Sequence, residues 1–176
     1  RRIPKALGVL IAGPGLFLTP WLFLWLTRVF MSPIFGETHA IWNDWYLHTT
    51  YFVAFVFGFA IAKHAPFFEA CMRHRWLALA LALASYVGLM AIYRTVAAPD
   101  EILINLARGL RQMQAWAAII ACFGFAYRHL RGADGPVRRY LTDAVFPFYI
   151  VHQTAIVVFG HYLDPLALPL GVEAAL

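Results

Sequence analysis

The residues with the clearest chemical potential lie within one apolar stretch, residues 140–163. His152 and Gln153 are adjacent near its middle, and Tyr149 precedes His152 by about one helical turn. The stretch is long enough to cross a bilayer, where polar side chains are costly and usually face other protein or a cavity. An imidazole at this depth can serve as a general base, a proton relay or a hydrogen-bonding strut. The sequence therefore predicts a site at His152, with Tyr149 on the same helical stripe and Gln153 about 100° around the helix.

A second set of candidates consists of arginines that fall at or near the ends of other apolar stretches. Arg108, Arg111 and Gln112 follow i, i+3, i+4 spacing and so share one helical face. Guanidinium groups hold carboxylates or phosphates through charge-assisted, bidentate hydrogen bonds, which would make Arg94, Arg108 and Arg111 substrate-binding residues. The alternative is that these arginines, with Arg28, extend to lipid headgroups or pair with nearby carboxylates. Those carboxylates are Glu37, Asp44, Asp100 and Glu101.

Asp44 and His48 lie i, i+4 at the start of an aromatic-rich stretch. One interpretation is a carboxylate–imidazole pair at the mouth of a substrate cavity, able to move a proton. The other is an aromatic belt at the membrane interface, with Asp44 as the N-cap of a helix. His39 and His161 show no metal-ligand spacing with the other histidines, so the sequence predicts no metal site.

The composition is that of a membrane protein, since 62% of the residues are hydrophobic and 13% are charged. Soluble chains carry roughly 25% charged residues. Repeated apolar runs of about 20 residues, bounded by charged or Gly/Pro-rich segments, indicate a polytopic helical protein rather than a β-barrel. Cys71 and Cys122 are too few and too far apart for a disulfide framework or a zinc site.

We predict one all-α domain over residues 1–176, a transmembrane helical bundle of five complete spans and the start of a sixth. Gly and Pro at positions 13–15 and Pro20 should kink or locally unwind the first span, which membrane helices tolerate where neighbours satisfy the freed backbone groups. Loops are expected at 31–43, 63–75, 97–102 and 128–139. The spans cover about residues 6–25, 44–62, 76–96, 103–127 and 140–163, and the sixth begins at Leu166.

Basic residues are distributed unevenly among the loops. Most of the 14 lie at the N-terminus or in the loops at 63–75 and 128–139, which the positive-inside rule makes cytoplasmic. The four arginines at 28, 94, 108 and 111 then lie towards the opposite face. This asymmetry accounts for the net charge of +5 without a nucleic-acid partner.

Residues 146–154, FPFYIVHQT, resemble a signature in the C-terminal half of the membrane acyltransferase 3 family. The closest likeness is to its branch related to the glucan-succinylating protein of osmoregulated periplasmic glucan synthesis. The aromatic stretch WNDWYLHTTYFVAFVFGFAIAK also resembles a span of that family that ends in Phe57, Gly58 and Phe59. The likeness extends over essentially the whole chain, and the Tyr-x-x-His-Gln run is its most specific part.

The resemblance implies a bacterial inner-membrane O-acyltransferase with more spans than this chain contains. Such enzymes move an acyl group from a cytoplasmic donor, commonly acyl-coenzyme A, to a carbohydrate hydroxyl outside, with no bound cofactor. In that reaction His152, with Tyr149 and Gln153, would orient the hydroxyl or the thioester in a supporting role. The outer arginines would bind an anionic acceptor or a dicarboxylic acyl group such as succinyl.

The family's catalytic motif is a basic residue, ten others and then a histidine, in its first span. Arg28 with His39 and Lys63 with His74 match that spacing, but both histidines are expected in loops, so neither pair is assigned. The resemblance therefore places the catalytic base upstream, and we expect the chain to be a fragment that is inactive and poorly stable alone.

Two other classes of function remain open. A transporter or exporter of a glycan or anionic solute would also use a broken first span, outer arginines and a midplane histidine that couples protons. Such a protein should show repeat symmetry between its halves, and the sequence shows none. A structural or sensory subunit would need only helix packing.

Overall fold

The computed structural model describes residues 13–40, 42–132 and 134–163, and every regular element in these ranges is a helix. The predicted residues 6–12 of the first span and the sixth span from Leu166 lie outside the described residues. The helices are α1 (Gly15–Phe30), α2 (Ser32–Phe35), α3 (Trp45–Ile61), α4 (Ala65–Thr95), α5 (Glu101–His129) and α6 (Pro136–Leu163).

The chain divides into two compact units. Arg1–Arg131 forms the first and contains α1 to α5, whereas Gly132–Leu176 forms the second and contains α6. The helix packing that follows belongs to the first unit.

Three segments are long and apolar enough to cross a membrane: Gly15–Phe35, Ala65–Thr95 and Pro136–Tyr162. Helix α3 is apolar but has only 17 residues, and α5 has 29 residues with a polar first half. The all-helical fold class and the membrane-protein assignment therefore stand for the described residues, whereas the five-span bundle is not confirmed.

Helix α4 begins earlier than the sequence predicts. The basic segment at 63–75 is predicted to be a loop, but the helix starts at Ala65 with Pro66 in its first turn and runs without a break to Thr95. Proline is favoured in a first turn, and no further proline or glycine follows until Gly88. His74 consequently lies inside a helix, and its ring meets that of Phe17 edge-on at 6.1 Å. The Lys63–His74 pair was not assigned because His74 was expected in a loop, and that expectation is wrong.

Helices α4 and α5 form an antiparallel pair joined by a short turn. Asp100 caps α5 by accepting a hydrogen bond from the Leu103 backbone N–H at 2.8 Å. Further along, a Cβ added at Gly124 would lie 2.7 Å from the Cβ of Arg75 and even closer to the carbonyl oxygen of Cys71. Small residues of this kind allow helix backbones to approach where lipid supplies no hydrophobic driving force.

Helix α1 packs against α5 through three tryptophans whose indole N–H groups donate to backbone carbonyls across the interface. Trp21 donates to Gly109 at 2.9 Å and Trp25 donates to Asn105 at 3.0 Å. The third bond, from Trp116 to the carbonyl of Leu16, is 2.8 Å long and buried.

The Trp116 bond has a specific cause in the sequence of α1. In an α-helix the carbonyl of Leu16 accepts from the N–H of residue 20, but residue 20 is a proline and has no N–H. Trp116 supplies the missing donor, and Leu16 is 1% exposed, so water cannot. The prediction that neighbours satisfy the backbone groups freed in α1 is confirmed at Pro20, and the helix continues through it.

An aromatic cluster around the same Trp116 joins α3 to α4 and α5. The Phe57 ring of α3 meets Phe67 and Trp116 edge-on at 5.8 and 5.7 Å. At its other end α3 lies beside the C-terminus of α1, where Arg28 donates to the Tyr46 hydroxyl. Helices α1 and α4 therefore run opposite to α3 and α5, which agrees with the alternation that the charge distribution predicts.

Replacing Trp116 by Phe should destabilise the first unit by about 1–3 kcal/mol, because the carbonyl of Leu16 loses its donor in a buried site. In a Pro20→Ala background the loss should be much smaller, because an alanine at this position restores the helical N–H. The four unfolding free energies, measured in bicelles, test this as a double-mutant cycle. Equal costs of Trp116→Phe in both backgrounds would show that the indole N–H does not serve this carbonyl.

Candidate functional site

Three arginines from two helices line one pocket of about 180 Å³ in the first unit. Arg28 comes from the last turn of α1, whereas Arg108 and Arg111 come from successive turns of α5. The remaining wall is largely apolar and comes from the C-terminal part of α4, the following turn and α5. It consists of Ile92, Tyr93, Pro99, Leu103, Ile104 and Ala107.

Arg108 and Arg111 carry charges that no carboxylate of the described residues neutralises in an ion pair. Arg108 is half-buried, and its Nη1 donates to Oδ1 of Asn105 at 3.0 Å, one turn earlier on the same helix. The backbone carbonyl of Asn105 accepts the indole N–H of Trp25, so the turn that carries this contact is itself fixed to α1. Arg111 also lines the pocket, and its side chain is exposed.

Arg28 differs from these two because its charge is already paired. Its Nη2 forms an ion pair with Glu37 at 2.6 Å, and its Nη1 donates to the Tyr46 hydroxyl at 3.1 Å. The guanidinium also lies 5.8 Å from the centre of the Tyr46 ring. Arg28 therefore pairs with a carboxylate, as one of the two interpretations of the sequence predicts. Arg108 and Arg111 form no such pair and can bind an anionic ligand.

The size and charge of the pocket limit what it can hold. Sites for whole drug-sized ligands usually enclose about 300–1,000 Å³, so this pocket fits one charged group rather than a complete sugar chain. Guanidinium groups in a partly apolar wall favour an oxyanion, since charge-assisted hydrogen bonds strengthen where water is scarce. The arrangement is therefore suited to hold a carboxylate, phosphate or sulfate group.

Arg94, predicted to join this site, is not among the residues that line the pocket, and its side chain is exposed. Its neighbour Tyr93 lines the pocket instead. Gln112, predicted on the same face as the arginines, is buried in the helix contact and is 9% exposed. The i, i+3 spacing correctly predicted that Arg108 and Arg111 share one face of α5. It could not predict how α4 is rotated, and that rotation directs Tyr93 rather than Arg94 to the pocket.

Asp44 organises the loop that joins α1 to α3. Its Oδ2 accepts from the backbone N–H groups of Thr38 and His39 at 2.8 and 2.9 Å, and its Oδ1 accepts from that of Leu47 at 3.0 Å. The carboxylate is fully enclosed, with 0% exposure. Burial alone would raise the pKa of Asp44, but these three hydrogen bonds and the nearby His39 outweigh it and lower the pKa below its usual 3.8.

The N-cap interpretation of Asp44 is confirmed by the bond to Leu47, and the residue also closes the loop behind it. His48 follows on the first turn of α3, where its ring meets that of Trp45 edge-on at 6.1 Å. Neither residue lines the arginine pocket. Proton transfer between Asp44 and His48 stays a prediction.

The second unit carries the other predicted site. The His152 ring stacks on Phe148 at 5.8 Å and lies 5.3 Å from the Tyr149 ring, so the structure brings His152 and Tyr149 together. Tyr149 is 67% exposed and Gln153 is also exposed. Their catalytic roles stay predictions.

The hydrogen bond of His152 identifies the ring nitrogen that donates. Its Nδ1 lies 3.2 Å from the carbonyl oxygen of Phe148, which can only accept. Nδ1 is therefore the donor of this hydrogen bond, and in the tautomer with a single ring proton Nε2 has a lone pair that can accept. The imidazole can accept a hydrogen bond at Nε2 while its other nitrogen is held by the helix.

Sequence reasoning missed Tyr93, which lines the arginine pocket, and Asn105 and Tyr46, which accept hydrogen bonds from its arginines. Asn105 lies three residues before Arg108, and that i, i+3 spacing of an amide and a guanidinium was a usable signal. Tyr93 and Tyr46 left no such signal, because their positions depend on how α4 and α3 pack. No group of three or more potential metal ligands occurs among the described residues.

Comparison of the chain with protein-family models, with curated proteins and with solved structures finds no match. The resemblance to the acyltransferase 3 family therefore stays a prediction.

Asp44→Asn should lower stability in a pH-dependent way. Because the native pKa is lowered, the charged carboxylate contributes stability above the unfolded-state value of 3.8, and this is lost as pH falls through the native value. We expect the gap in melting temperature between the native protein and the variant to be constant above about pH 5 and to close below about pH 4. Asp100→Asn, which removes the charge of an exposed N-cap and keeps its oxygen acceptor, is the control. A gap that widens on acidification would contradict the assignment.

Proposed function

We propose that this chain is part of an integral membrane O-acyltransferase. It would move an acyl group, for example acetyl or succinyl, from acyl-coenzyme A on the cytoplasmic side to a carbohydrate hydroxyl on the periplasmic side. The observation that carries the proposal is the pocket of Arg28, Arg108 and Arg111, which suits an anionic group of one substrate. The reaction itself is taken from the resemblance of residues 146–154 to the acyltransferase 3 family.

In such a transfer the hydroxyl oxygen of the sugar attacks the thioester carbonyl, the C–S bond breaks, and the hydroxyl proton passes through a base to the leaving thiolate. The resemblance assigns that base to a span upstream of this chain. His152 would accept a hydrogen bond at Nε2 from the hydroxyl and so orient it, with Tyr149 beside it. Gln153 would contact the substrate from the adjoining face of α6.

The proposed setting is a bacterial inner membrane with the basic ends of the helices in the cytoplasm. The turn between α4 and α5 and the arginine pocket then lie towards the periplasm, where a carbohydrate acceptor is available. Helices α3 and α5 would complete the set of spans with α1, α4 and α6. Spans from the rest of the same protein, the acceptor and the acyl donor would be the partners, without nucleic acid.

A transporter or exporter of an anionic solute is the second candidate, because the same two unpaired arginines would bind a transported anion. The two functions differ in whether a covalent bond forms. Transfer of labelled acyl groups therefore separates them, and uptake or release of an unmodified glycan would favour transport.

Replacing Arg111 or Arg108 by Gln should lower kcat/KM for acyl transfer about tenfold or more, because each removes a charge-assisted hydrogen bond to the anionic group. The full product of the gene, in proteoliposomes with labelled acetyl- or succinyl-coenzyme A and periplasmic glycans, provides the assay. Arg94→Gln removes the same charge outside the pocket and should leave transfer unchanged. Normal transfer by both pocket variants, with normal membrane insertion, would favour the alternative that these arginines extend to lipid headgroups.

Two substitutions at His152 distinguish two roles of this residue: a structural role within the helix and a role as hydrogen-bond acceptor for the substrate. Asn can retain a donor near the position of Nδ1 but has no group at Nε2, whereas Gln places an amide near Nε2. If Nε2 orients the hydroxyl, His152→Asn should lower kcat about tenfold or more and His152→Gln should be milder. Activity that survives in the Asn variant would assign His152 to helix structure alone.

A further inference from the structure

The charges around the arginine pocket do not cancel. Arg28 is neutralised by Glu37 at 2.6 Å, whereas Arg108 and Arg111 form no ion pair with a carboxylate of the described residues. Two further acids, Asp100 and Glu101, lie at the start of α5: Asp100 uses its Oδ1 to cap the helix, and neither forms an ion pair with an arginine of the pocket. The pocket therefore presents two guanidinium groups that are not in ion pairs beside one that is.

The two free guanidiniums are placed to share one ligand. Arg108 and Arg111 are three residues apart on α5, so they occupy neighbouring positions on one helix face and line the same small pocket. A carboxylate presents two oxygens and one charge, which a single guanidinium satisfies. A terminal phosphate presents three oxygens and two charges, which match two guanidiniums.

We propose that the arginine pocket is a binding site for a doubly charged phosphate group, and that Glu37 sets this preference by neutralising Arg28. With Glu37 in place, the free charge of the pocket matches a phosphomonoester. The phosphate can belong to a soluble phosphate ester or to a phosphomonoester headgroup of a lipid, since the chemistry is the same.

Glu37 is well placed for this role. Its side chain is about one-third exposed, at 34%, whereas that of Arg28 is 16% exposed, so the acid is the more accessible partner of the pair. Tyr46 holds the other end of the Arg28 guanidinium through its hydroxyl at 3.1 Å. Removing the Glu37 charge would leave Arg28 in position and free a third positive charge for the anion.

The phosphate site occupies the same pocket as the proposed function but does not depend on acyl transfer. Phosphate binding can be measured without an acyl donor, so failure of either proposal leaves the other standing. Detection of acyl transfer without phosphate binding would refute only the phosphate site.

The test compares two probes that differ by one charge. Methyl phosphate is a dianion at pH 8, and dimethyl phosphate is a monoanion. With the full gene product in phosphatidylcholine nanodiscs, equilibrium binding should favour methyl phosphate by about tenfold, and Arg108→Gln or Arg111→Gln should remove that preference. For the lipid source, nanodiscs with phosphatidic acid are compared with nanodiscs that contain phosphatidylglycerol.

Glu37→Gln should tighten the binding of methyl phosphate about two- to fivefold, the size expected from freeing one partly exposed ion pair. Glu69→Gln is the matched control: it makes the same change on α4 about 35 Å from Tyr93, at the opposite end of that helix. A Glu37→Gln effect that is absent, or that equals the effect of Glu69→Gln, would refute the role of Glu37.

The remaining outcomes also decide the proposal. Saturable binding of methyl phosphate that depends on both arginines supports a soluble phosphate ester. The same dependence seen only with phosphatidic acid supports a lipid headgroup. Equal binding of the two methyl phosphates, or binding of neither phosphate source, overturns the proposal of a dianion site.

Discussion

The packing of the first unit depends on one backbone carbonyl that its own helix cannot satisfy. Pro20 removes the N–H that Leu16 would use, and the site is too buried for water. In an apolar medium an unpaired carbonyl is costly, so a donor must come from another helix. Trp116 supplies it, and this requirement fixes both the distance and the register between α1 and α5.

The arginine pocket follows from that register. With Trp116 against Leu16, the antiparallel helices place Trp25 against Asn105 and bring Arg28 to the first turn of α5, where it lines the same pocket as Arg108. The position of the pocket therefore depends on the hydrogen bond by which Trp116 satisfies the carbonyl of Leu16. The loop held by Asp44 then carries Glu37 to Arg28 and divides the three arginines into one paired and two unpaired charges.

The sequence predicted some of this from local chemistry. The helical class, the cap at Asp44 and the shared face of Arg108 and Arg111 all depend on residues close together in the chain, and each appears in the structure. The exclusion of Arg94 and the inclusion of Tyr93 depend on how α4 is rotated against α5, which no local pattern encodes. The extension of α4 back to Ala65 escapes prediction because a run of basic residues suggests a loop, although nothing in that run breaks a helix.

Composition and spacing by themselves determined that this chain is helical and suited to a membrane, and they identified which side chains could bind an anion or accept a proton. Those properties belong to single residues and to helical periodicity. Only the tertiary structure decided which arginine is neutralised, which indole serves Leu16 and which tyrosine faces the pocket. The reason is that each depends on a contact between residues from 9 to 100 positions apart, and the geometry of such contacts is set by packing.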